Sequence, residues 1–311
     1  MEYRVLGKTG LKVSALSYGA SSLGGVFHAI NESDAIRSVH VSLDEGINFI
    51  DVSPFYGLTK AETVLGKALK TVKRDRYILA TKVGRYGAEQ KDFDFSAKRV
   101  TASVDESLAR MGVDFVDLIQ VHDMEFGDLD QVANETVPAL RKVVQAGKAR
   151  FVGITGLPLR NFKYVADRVE VDTILSYCHY EMNDTALVDM VPYLKQKGIG
   201  VISASPLGMG LLSHRGPPAW HPASAAVKEA CAKAAAHCKA KGASIEKLAV
   251  QYAVAEPSIA TTLVGSADPD NMVANIRNLS TPLDKQLLAE VLEILKPIHN
   301  VTWPSGRAEN N

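Results

Sequence analysis

Short apolar segments alternate eight times with segments of helical period along this chain of 311 residues. The predicted strand–helix units, in order, are strand 15–20 with helix 33–45, strand 47–51 with helix 60–70, strand 77–82 with helix 96–111, strand 115–121 with helix 129–146, strand 150–154 with helix 159–168, strand 171–176 with helix 185–197, strand 199–203 with helices 224–241 and 244–255, and strand 260–264 with helix 269–278. Eight such units are typical of a closed (β/α)8 barrel of about 250 residues. The sequence therefore predicts an α/β fold, a (β/α)8 TIM barrel, with an open doubly wound sheet as the alternative.

The helix over 96–111 illustrates the signals used. Val100, Val104 and Leu108 recur every four residues, which places them on one helical face. Gly112 follows the last residue, as is common where a helix stops.

Two segments lie outside the eight units. Residues 3–14 alternate apolar and polar side chains around Gly7 and predict a β-hairpin that plugs one end of the barrel. Residues 282–295 predict an extra C-terminal helix. The tail from about 298 has no periodicity and is expected to be a lid or disordered. We expect one domain over 1–311.

Composition excludes several classes of function. The formal net charge is +0, from 35 basic and 35 acidic residues, which argues against binding to nucleic acid or anionic membranes through a bulk positive field. Three cysteines without a CxxC pair indicate reduced thiols, with no disulfide framework and no zinc site. No apolar run reaches about 18 residues and no signal peptide follows Met1, so we expect a cytoplasmic protein without a membrane span and without a bound metal.

Ionisable side chains stand where three successive predicted strands end. Asp51 closes the run 47–50, Lys82 closes 77–81, and His122 closes 115–121, while Tyr56 lies in the loop after Asp51. In parallel sheets the carboxyl ends of the strands carry the chemistry. Each residue alone is more often a turn former or a satisfied hydrogen-bonding group, but the conjunction of all four is improbable by chance.

These four residue types suit the interconversion of a carbonyl and an alcohol. A buried lysine requires a carboxylate partner, which Asp51 can supply. The charge of Lys82 should lower the pKa of Tyr56 from its free value near 10, giving a proton donor and acceptor. His122 can hydrogen-bond the reacting oxygen. Because no side chain donates a hydride, a cofactor must do so.

Four stretches of sequence resemble the aldo-keto reductases. They are the opening segment 3–14, the segment 48–57 that contains Asp51 and Tyr56, the segment 62–66, and the strand ends at Lys82 and His122. The resemblance runs from residue 3 to about 278. It implies a TIM barrel that binds a nicotinamide dinucleotide across its carboxyl face, with Asp51, Tyr56, Lys82 and His122 as the catalytic tetrad and Tyr56 as the proton-transfer residue.

The resemblance also implies a set of dinucleotide contacts. These are Ser22, Thr155, Tyr177, Ser205, Leu207, Gly208, Gly210, Leu211, Gly265, Ser266, Asn271 and Asn275. The chain departs from the family pattern at three places. Gly156 stands where an asparagine usually helps to hold the carboxamide, Tyr177 where glutamine is common, and Ala204 where a tyrosine often stacks on the nicotinamide.

The segment after the eighth strand predicts NAD as the cofactor. The family binds the adenosine 2′-phosphate of NADP with Lys and Arg at positions occupied here by Gly265 and Asn271, and Asp268 and Asp270 add negative charge nearby. We interpret Arg277 as a helix-surface residue. A preference for NAD⁺ favours a dehydrogenase over a reductase.

Substrate choice is expected in the loops 123–130 and 206–223 and in the tail after 297. Tyr56, His122 and Asp123 are the predicted substrate-binding residues, and further hydrogen-bonding groups suited to a polyol are Glu125, Asp128, His179 and His221. The chain most resembles sugar-oxidising members of the family, which implies oxidation of the anomeric carbon of a free aldose, L-galactose above all, to a lactone on the route to ascorbate.

Two alternatives remain open. One is an NADPH-dependent reductase of small aldehydes, and the other is a dinucleotide-binding regulatory subunit of a potassium channel. The expected partner is a small-molecule aldose, with no nucleic acid and no membrane. The sequence leaves monomer and dimer open.

Overall fold

Eight parallel strands close into a barrel in the computed structural model, which describes residues 1–26 and 29–311. The strands along these residues are β1 (Tyr3–Val5), β2 (Lys12–Ser14), β3 (Leu16–Gly19), β4 (Phe49–Asp51), β5 (Ile78–Val83), β6 (Val116–Val121), β7 (Ala149–Gly156), β8 (Thr173–Tyr177), β9 (Gly200–Ala204) and β10 (Thr261–Val264). Strands β3 to β10 lie side by side in chain order, and β10 pairs with β3 to close the barrel. The predicted (β/α)8 barrel is confirmed, and the open sheet is excluded.

Helices follow the barrel strands and surround them. They are α1 (Glu32–Asp44), α2 (Lys60–Leu69), α3 (Ala97–Met111), α4 (Leu129–Gln131), α5 (Val137–Gln145), α6 (Leu159–Ala166), α7 (Ala186–Gln196), α8 (Ala225–Ala240), α9 (Ile245–Val254), α10 (Pro269–Asn278) and α11 (Lys285–Leu295). In α3 the side chains of Val100, Val104 and Leu108 are buried, and Gly112 ends the helix in the left-handed conformation. The four-residue periodicity therefore identified the face of α3 that packs on the barrel.

The segment predicted as one helix over 129–146 contains a π-helical stretch. Helix α4 passes into a π-helix over Val132–Thr136, which passes into α5. Pro138 stands in the first turn of α5. A proline has no N–H to donate, so the regular α-helical bond that would end at this residue is missing, and a π-bulge is one way to accommodate the gap.

The N-terminal hairpin covers the amino end of the barrel, as predicted. Strands β1 and β2 pair antiparallel. Leu6, Leu11 and Val13 are buried in one cluster with barrel residues such as Phe49 and Leu118. The main chain of Lys8 also donates to the oxygen of Gly198, at the turn before β9 (2.7 Å). The plug therefore leaves the carboxyl end as the open face.

Helix α11 packs on α8 outside the barrel. Leu287, Val291 and Leu295 on one face of α11 are buried in the same cluster as Cys231 and Cys238 of α8. Both cysteines are buried free thiols and are not part of a disulfide. The cysteines of α8 thus serve as small apolar core residues.

The tail after α11 runs back across the open face. Trp303 is buried against the ring of His221, with ring centroids 5.0 Å apart, and Asn310 is also buried. Within residues 1–26 and 29–311, no helix is both long and apolar enough to cross a membrane. The same residues contain no cluster of three or more His, Cys, Asp or Glu side chains that could hold a metal ion.

Candidate active site

The four predicted catalytic residues meet at the carboxyl end of the barrel. Asp51 ends β4, Lys82 lies near the end of β5, and His122 directly follows β6. The ammonium of Lys82 contacts Asp51 Oδ1 and also donates to the main-chain oxygen of Val52 (3.0 Å) and to the hydroxyl of Tyr56 (3.2 Å). The lysine thus bridges the carboxylate and the phenol.

A glutamine that the sequence analysis did not select completes the support of Asp51. Gln120 Nε2 donates to Asp51 Oδ2 at 2.7 Å, so that the second carboxylate oxygen is also bound. Gln120 faces Lys82 across the β5–β6 pair. It also lies two residues before His122, and the two-residue period of a strand could have identified it as pointing to the same side.

The Lys82–Asp51 pair is almost completely buried, with 1% and 3% of the two side chains exposed. Burial lowers the pKa of Lys82, but the charge of Asp51 more than offsets this, and the pKa lies above its ordinary value. Burial raises the pKa of Asp51, and Lys82 counters only part of that rise. A buried charge requires a partner of opposite sign, so the two groups hold each other in place.

The pKa of Tyr56 differs from the sequence-based expectation. Burial raises it above 10, and although Lys82 lowers it, the negative charges of Asp51 and Asp123 add to the rise. The expectation that Lys82 brings this pKa below its free value is therefore wrong. The expectation counted one charge, whereas the folded site adds desolvation and two carboxylates.

His122 is a neutral imidazole in this site. Burial, Lys82 and Arg85 lower its pKa to about 3, against an opposing effect of Asp123. Its Nδ1 lies 2.9 Å from the hydroxyl of Ser53, and its ring meets that of Tyr56 edge to face at 5.6 Å. The imidazole therefore stands beside the phenol without a charge of its own.

Asp123 lies next to His122 and forms an ion pair with Arg85. One of its oxygens contacts Arg85 and lies 3.7 Å from His122 Nε2. Burial alone raises the pKa of Asp123, but the guanidinium of Arg85 in contact with it holds that pKa below the ordinary value. The residue has a left-handed backbone, with φ of 47°. Asp123 is thus held as a carboxylate beside the imidazole of His122.

Arg85 was not selected from the sequence. Its guanidinium lies over the ring of Phe55 at 3.8 Å and near those of Phe93 and Phe126, at 5.3 and 5.0 Å. Aromatic rings so placed attract a cation and fix its position. The only signal in the sequence was its place three residues after Lys82.

Two predicted cofactor residues form hydrogen bonds with the loop that follows His122. The hydroxyl of Thr155, on β7, accepts a hydrogen bond from the main chain of Asp123 (2.9 Å). Tyr177, at the end of β8, donates to Glu125 Oε1 (3.2 Å). Glu125 Oε2 lies 2.6 Å from where a Cβ of residue 156 would stand. Gly156 thus leaves space that the Glu125 carboxyl fills.

The loop that follows β9 carries several of the predicted dinucleotide contacts. It contains Ser205 and Leu207, then a 3-10 turn over Gly208–Gly210, and then the buried Leu211. His221 Nε2 lies 3.0 Å from the main-chain oxygen of Gly208. Ser22 lies in a 3-10 turn after β3 and is also buried. These residues therefore all stand on the rim that carries the tetrad.

The predicted adenosine segment follows β10. Gly265 and Ser266 come directly after the strand, and Asn271 and Asn275 lie on α10. Asn271 is exposed, and Asp268 caps the first turn of the helix by accepting from the main chain of Asp270 (2.9 Å).

Arg277 lies further along α10 and forms an ion pair with Glu45 (2.8 Å). Its side chain is 70% exposed, as expected for a helix-surface residue.

Several polar loop residues that the sequence suggested for substrate binding form hydrogen bonds or caps with other protein groups. Asp128 caps α4, and His179 lies 3.1 Å from Asp184. Glu125 accepts from Ser305 Oγ (2.9 Å) and from the main chain of Leu157 (3.1 Å), and burial raises its pKa to about 8. Only Asp123 in this group lies beside the tetrad.

Comparison with known proteins agrees with this geometry. The sequence model of the Aldo/keto reductase family matches residues 15–296. The chain belongs to the aldo/keto reductase family. L-Galactose dehydrogenase from Arabidopsis thaliana is 54% identical to it over 100% of this chain and 99% of that protein. D-Arabinose 1-dehydrogenase from Saccharomyces cerevisiae is 30% identical over 94% of both chains. The resemblance stated from the motifs is thereby confirmed.

A solved structure is similar along nearly the whole length. The holo form of an aldo-keto reductase from Bacillus halodurans superposes with a TM-score of 0.79 at 28% identity and covers 98% of each chain. The chain is therefore an oxidoreductase of the aldo-keto reductase type, and members of this family bind nicotinamide dinucleotides. Its similarity to L-galactose dehydrogenase supports aldose dehydrogenase activity.

Proposed function

We propose that this protein is an NAD-dependent dehydrogenase that oxidises the anomeric carbon of a free aldose, with L-galactose as the first candidate and L-galactono-1,4-lactone as the product. The observation that carries the proposal is the buried ammonium of Lys82 bound at once to Asp51 and to the hydroxyl of Tyr56. A proton-transfer phenol next to a fixed cation suits removal of a proton from a sugar hydroxyl.

In the oxidation direction Tyr56 accepts the proton of the anomeric hydroxyl. The ammonium of Lys82, 3.2 Å from the phenol oxygen, stabilises the phenolate that this step requires. Asp51 holds the ammonium in place, and Gln120 in turn donates to Asp51. Because burial raises the pKa of Tyr56, oxidation should be favoured by alkaline pH.

His122 binds the same sugar oxygen. A neutral imidazole can donate one hydrogen bond to the oxygen as it changes from hydroxyl to carbonyl, without adding a charge. A bound nicotinamide would supply the acceptor for the hydride of the anomeric carbon. Loss of one hydride and one proton turns the cyclic hemiacetal into a lactone.

The rim of the barrel fits a dinucleotide. Glu125 Oε2 is buried and, among the described residues, has no hydrogen-bond partner, and an unmatched buried oxygen of this kind is what a polar ligand group such as an amide satisfies. The glycines at 208 and 210 have φ of 55° and 106°, a left-handed backbone that favours a residue without a Cβ. Thr155, Tyr177 and these glycines would hold the cofactor.

The charges in the segment after β10 support the proposed preference for NAD⁺. The segment 265–275 contains no lysine or arginine, while it contains Asp268 and Asp270. Arg277 is bound to Glu45. A 2′-phosphate at this place would meet negative charge without a cationic partner, which disfavours NADP⁺.

L-Galactose is proposed because of the 54% identity to the Arabidopsis enzyme named for it. On this view the protein is cytoplasmic and its lactone product feeds ascorbate synthesis. Asp123, held ionised beside His122, is the residue placed to bind a second sugar hydroxyl.

A screen of aldoses with NAD⁺ and NADP⁺ tests the proposal through the absorbance of the reduced cofactor. L-Galactose with NAD⁺ should give the highest kcat/KM, and D-galactose is the matched control because it presents the same groups in mirror image. Turnover of aldehydes with NADPH, without oxidation of any aldose, would contradict the proposal. Tight NADP(H) binding without turnover would favour a regulatory subunit.

A further inference from the structure

Ser53 makes two contacts that together fix its hydroxyl. The residue is completely buried in the loop between Asp51 and Tyr56. Among the described residues its Oγ has two hydrogen-bond partners, the main-chain N–H of Phe55 at 3.1 Å and Nδ1 of His122 at 2.9 Å. The N–H of Phe55 can only donate, so it takes a lone pair of the hydroxyl.

The remaining partner must therefore receive the hydroxyl proton. A serine hydroxyl carries one proton, and a buried donor without an acceptor is strongly unfavourable. Nδ1 of His122 is the one acceptor in reach within residues 1–26 and 29–311. The hydrogen bond thus runs from Ser53 to His122, which leaves Nδ1 without a proton of its own.

The surroundings of Nε2, on the other side of the His122 ring, independently support the same tautomer. Nε2 of His122 lies 3.7 Å from Oδ2 of Asp123, and Arg85 keeps that carboxylate ionised. An ionised carboxylate only accepts, so it favours an N–H over a bare lone pair facing it. The pKa of about 3 for His122 means that the ring carries one proton, not two, at neutral pH.

We propose that Ser53 is a positioning residue that sets the tautomer of His122, so that Nε2 carries the proton and faces the reacting oxygen as a donor. This rests on the proposed function, in which His122 binds the sugar oxygen. The other tautomer would present a lone pair to an oxygen that has just lost its own proton, which is repulsive.

Nitrogen-15 NMR of the histidine-labelled full-length protein tests the assignment directly. The chain has 8 histidines, and His122→Asn identifies the signal of interest. We expect Nε2 protonated and Nδ1 bare at neutral pH, in the presence of saturating NAD⁺. A protonated Nδ1 in the parent protein would overturn the proposal, whatever the variants do.

Kinetics of three variants test the consequence. Ser53→Ala should lower kcat about tenfold or more while the Kd for NAD⁺ stays unchanged, and its spectrum should show a mixture of tautomers. Ser53→Thr, which retains the hydroxyl, should restore both the kcat and the single-tautomer spectrum. Ser42→Ala is the matched control, because Ser42 is an equally buried serine on α1 that donates to the main chain of Ser38.

The outcomes separate the two proposals. A Ser53→Ala kcat within twofold of the parent, with an unchanged spectrum, would overturn the role of Ser53. Failure of the parent protein to oxidise any aldose would instead contradict the proposed function, and the parent spectrum would still decide the tautomer.

Discussion

At the scale of single residues, the geometry of the site depends on a series of hydrogen bonds in which each polar group fixes the position of the next. Gln120 and Lys82 hold the two oxygens of Asp51, and Lys82 in turn holds the phenol of Tyr56. Networks of this kind are favourable only when every member is satisfied, since the low local dielectric makes an unpaired group costly. Removal of one member therefore affects the others, and the least disruptive substitution is at the phenol oxygen.

Tyr56→Phe removes that oxygen and little else. We expect nearly complete loss of aldose oxidation, by roughly 10²–10⁴-fold, because general acid–base catalysis is lost while the ring remains. Dinucleotide binding, followed by fluorescence titration, should be unchanged. Tyr164→Phe on α6 is the control, since that hydroxyl donates to Asp130 at the surface (2.7 Å). A variant that retains activity within a few-fold of the parent would exclude Tyr56 as the proton acceptor.

Cofactor choice can also be tested at one residue. Asn271→Arg adds a cation on the exposed face of α10, and it should raise kcat/KM for NADP⁺ about tenfold by a charge-assisted hydrogen bond to the 2′-phosphate. Asn271→Gln, a longer side chain without charge, is the matched control. A parent protein that already prefers NADP⁺ would show that another cation reaches the phosphate.

A lysine at Gly265, the other position at which the family binds the 2′-phosphate, is not suitable for this test. A Cβ on Gly265 would stand 1.7 Å from the main-chain oxygen of Gly19 on the neighbouring strand, so a lysine there would displace β3 or β10. Any change in cofactor use by such a variant would reflect the distorted strand ends as well as the new charge.

At the scale of elements, the C-terminal tail links loops from several strands. Asn310 Nδ2 donates to the main-chain oxygens of Glu125 (2.7 Å) and Gly127 (2.9 Å), and Asn161 of α6 donates to the oxygen of Asn310 (3.0 Å). Ser305 bonds the carboxyl of Glu125. The tail thereby fixes the loop that carries Asp123.

Asn310→Ala should loosen this loop. The oxygens of Glu125 and Gly127 each lose one donor, although that of Glu125 keeps the main-chain N–H of Arg307 (2.9 Å). We therefore expect a loss of about 1–3 kcal/mol in the free energy of unfolding and a higher KM for the sugar. Urea denaturation and steady-state kinetics measure the two effects. Glu309→Ala is the control, because its surface ion pair with Arg307 should be worth at most about 1 kcal/mol. Equal effects of the two substitutions would show that the tail does not hold the loop.

The strand–helix order and the tetrad could be predicted because both depend on local pattern. A residue that closes an apolar strand in a parallel barrel must lie at the carboxyl rim, so Asp51, Lys82 and His122 had to come together. The contacts between loops could not be predicted in this way. Arg85 meets Asp123, and the tail meets Glu125, only through the packing of loops whose sequences carry no period.

At the scale of the whole molecule, Glu125 and Glu181 are interior carboxyls that have no Lys or Arg partner within residues 1–26 and 29–311. Burial raises the pKa of Glu125 and of Glu181 from 4.5 to about 8. Each has one oxygen with no hydrogen-bond partner among the described residues. In the unfolded chain both groups lose their protons near their ordinary pKa. Between about pH 4.5 and 8 the folded protein therefore holds more protons than the unfolded one, and stability falls as pH rises through this window.

Glu125→Gln should reduce the loss of stability that accompanies rising pH. The amide oxygen can keep the hydrogen bonds from Leu157, Tyr177 and Ser305, while the amide nitrogen takes the place of the protonated oxygen. The parent should lose stability between about pH 4.5 and pH 8, by an amount on the order of a few kcal/mol for each buried carboxyl, and the variant should lose correspondingly less. Glu181→Gln should act in the same way, and the double variant should combine the two effects because the groups are separate.

Denaturant midpoints measured across this pH range provide the test. Glu293→Gln makes the same chemical change at a surface residue that is 73% exposed, and its midpoints should follow those of the parent at every pH. If Glu125→Gln also follows the parent at every pH, the carboxyl is ionised in the folded protein. A cation or a bound water near the C-terminal tail would then have to stabilise the ionised carboxylate, because the described contacts of Glu125 include neither.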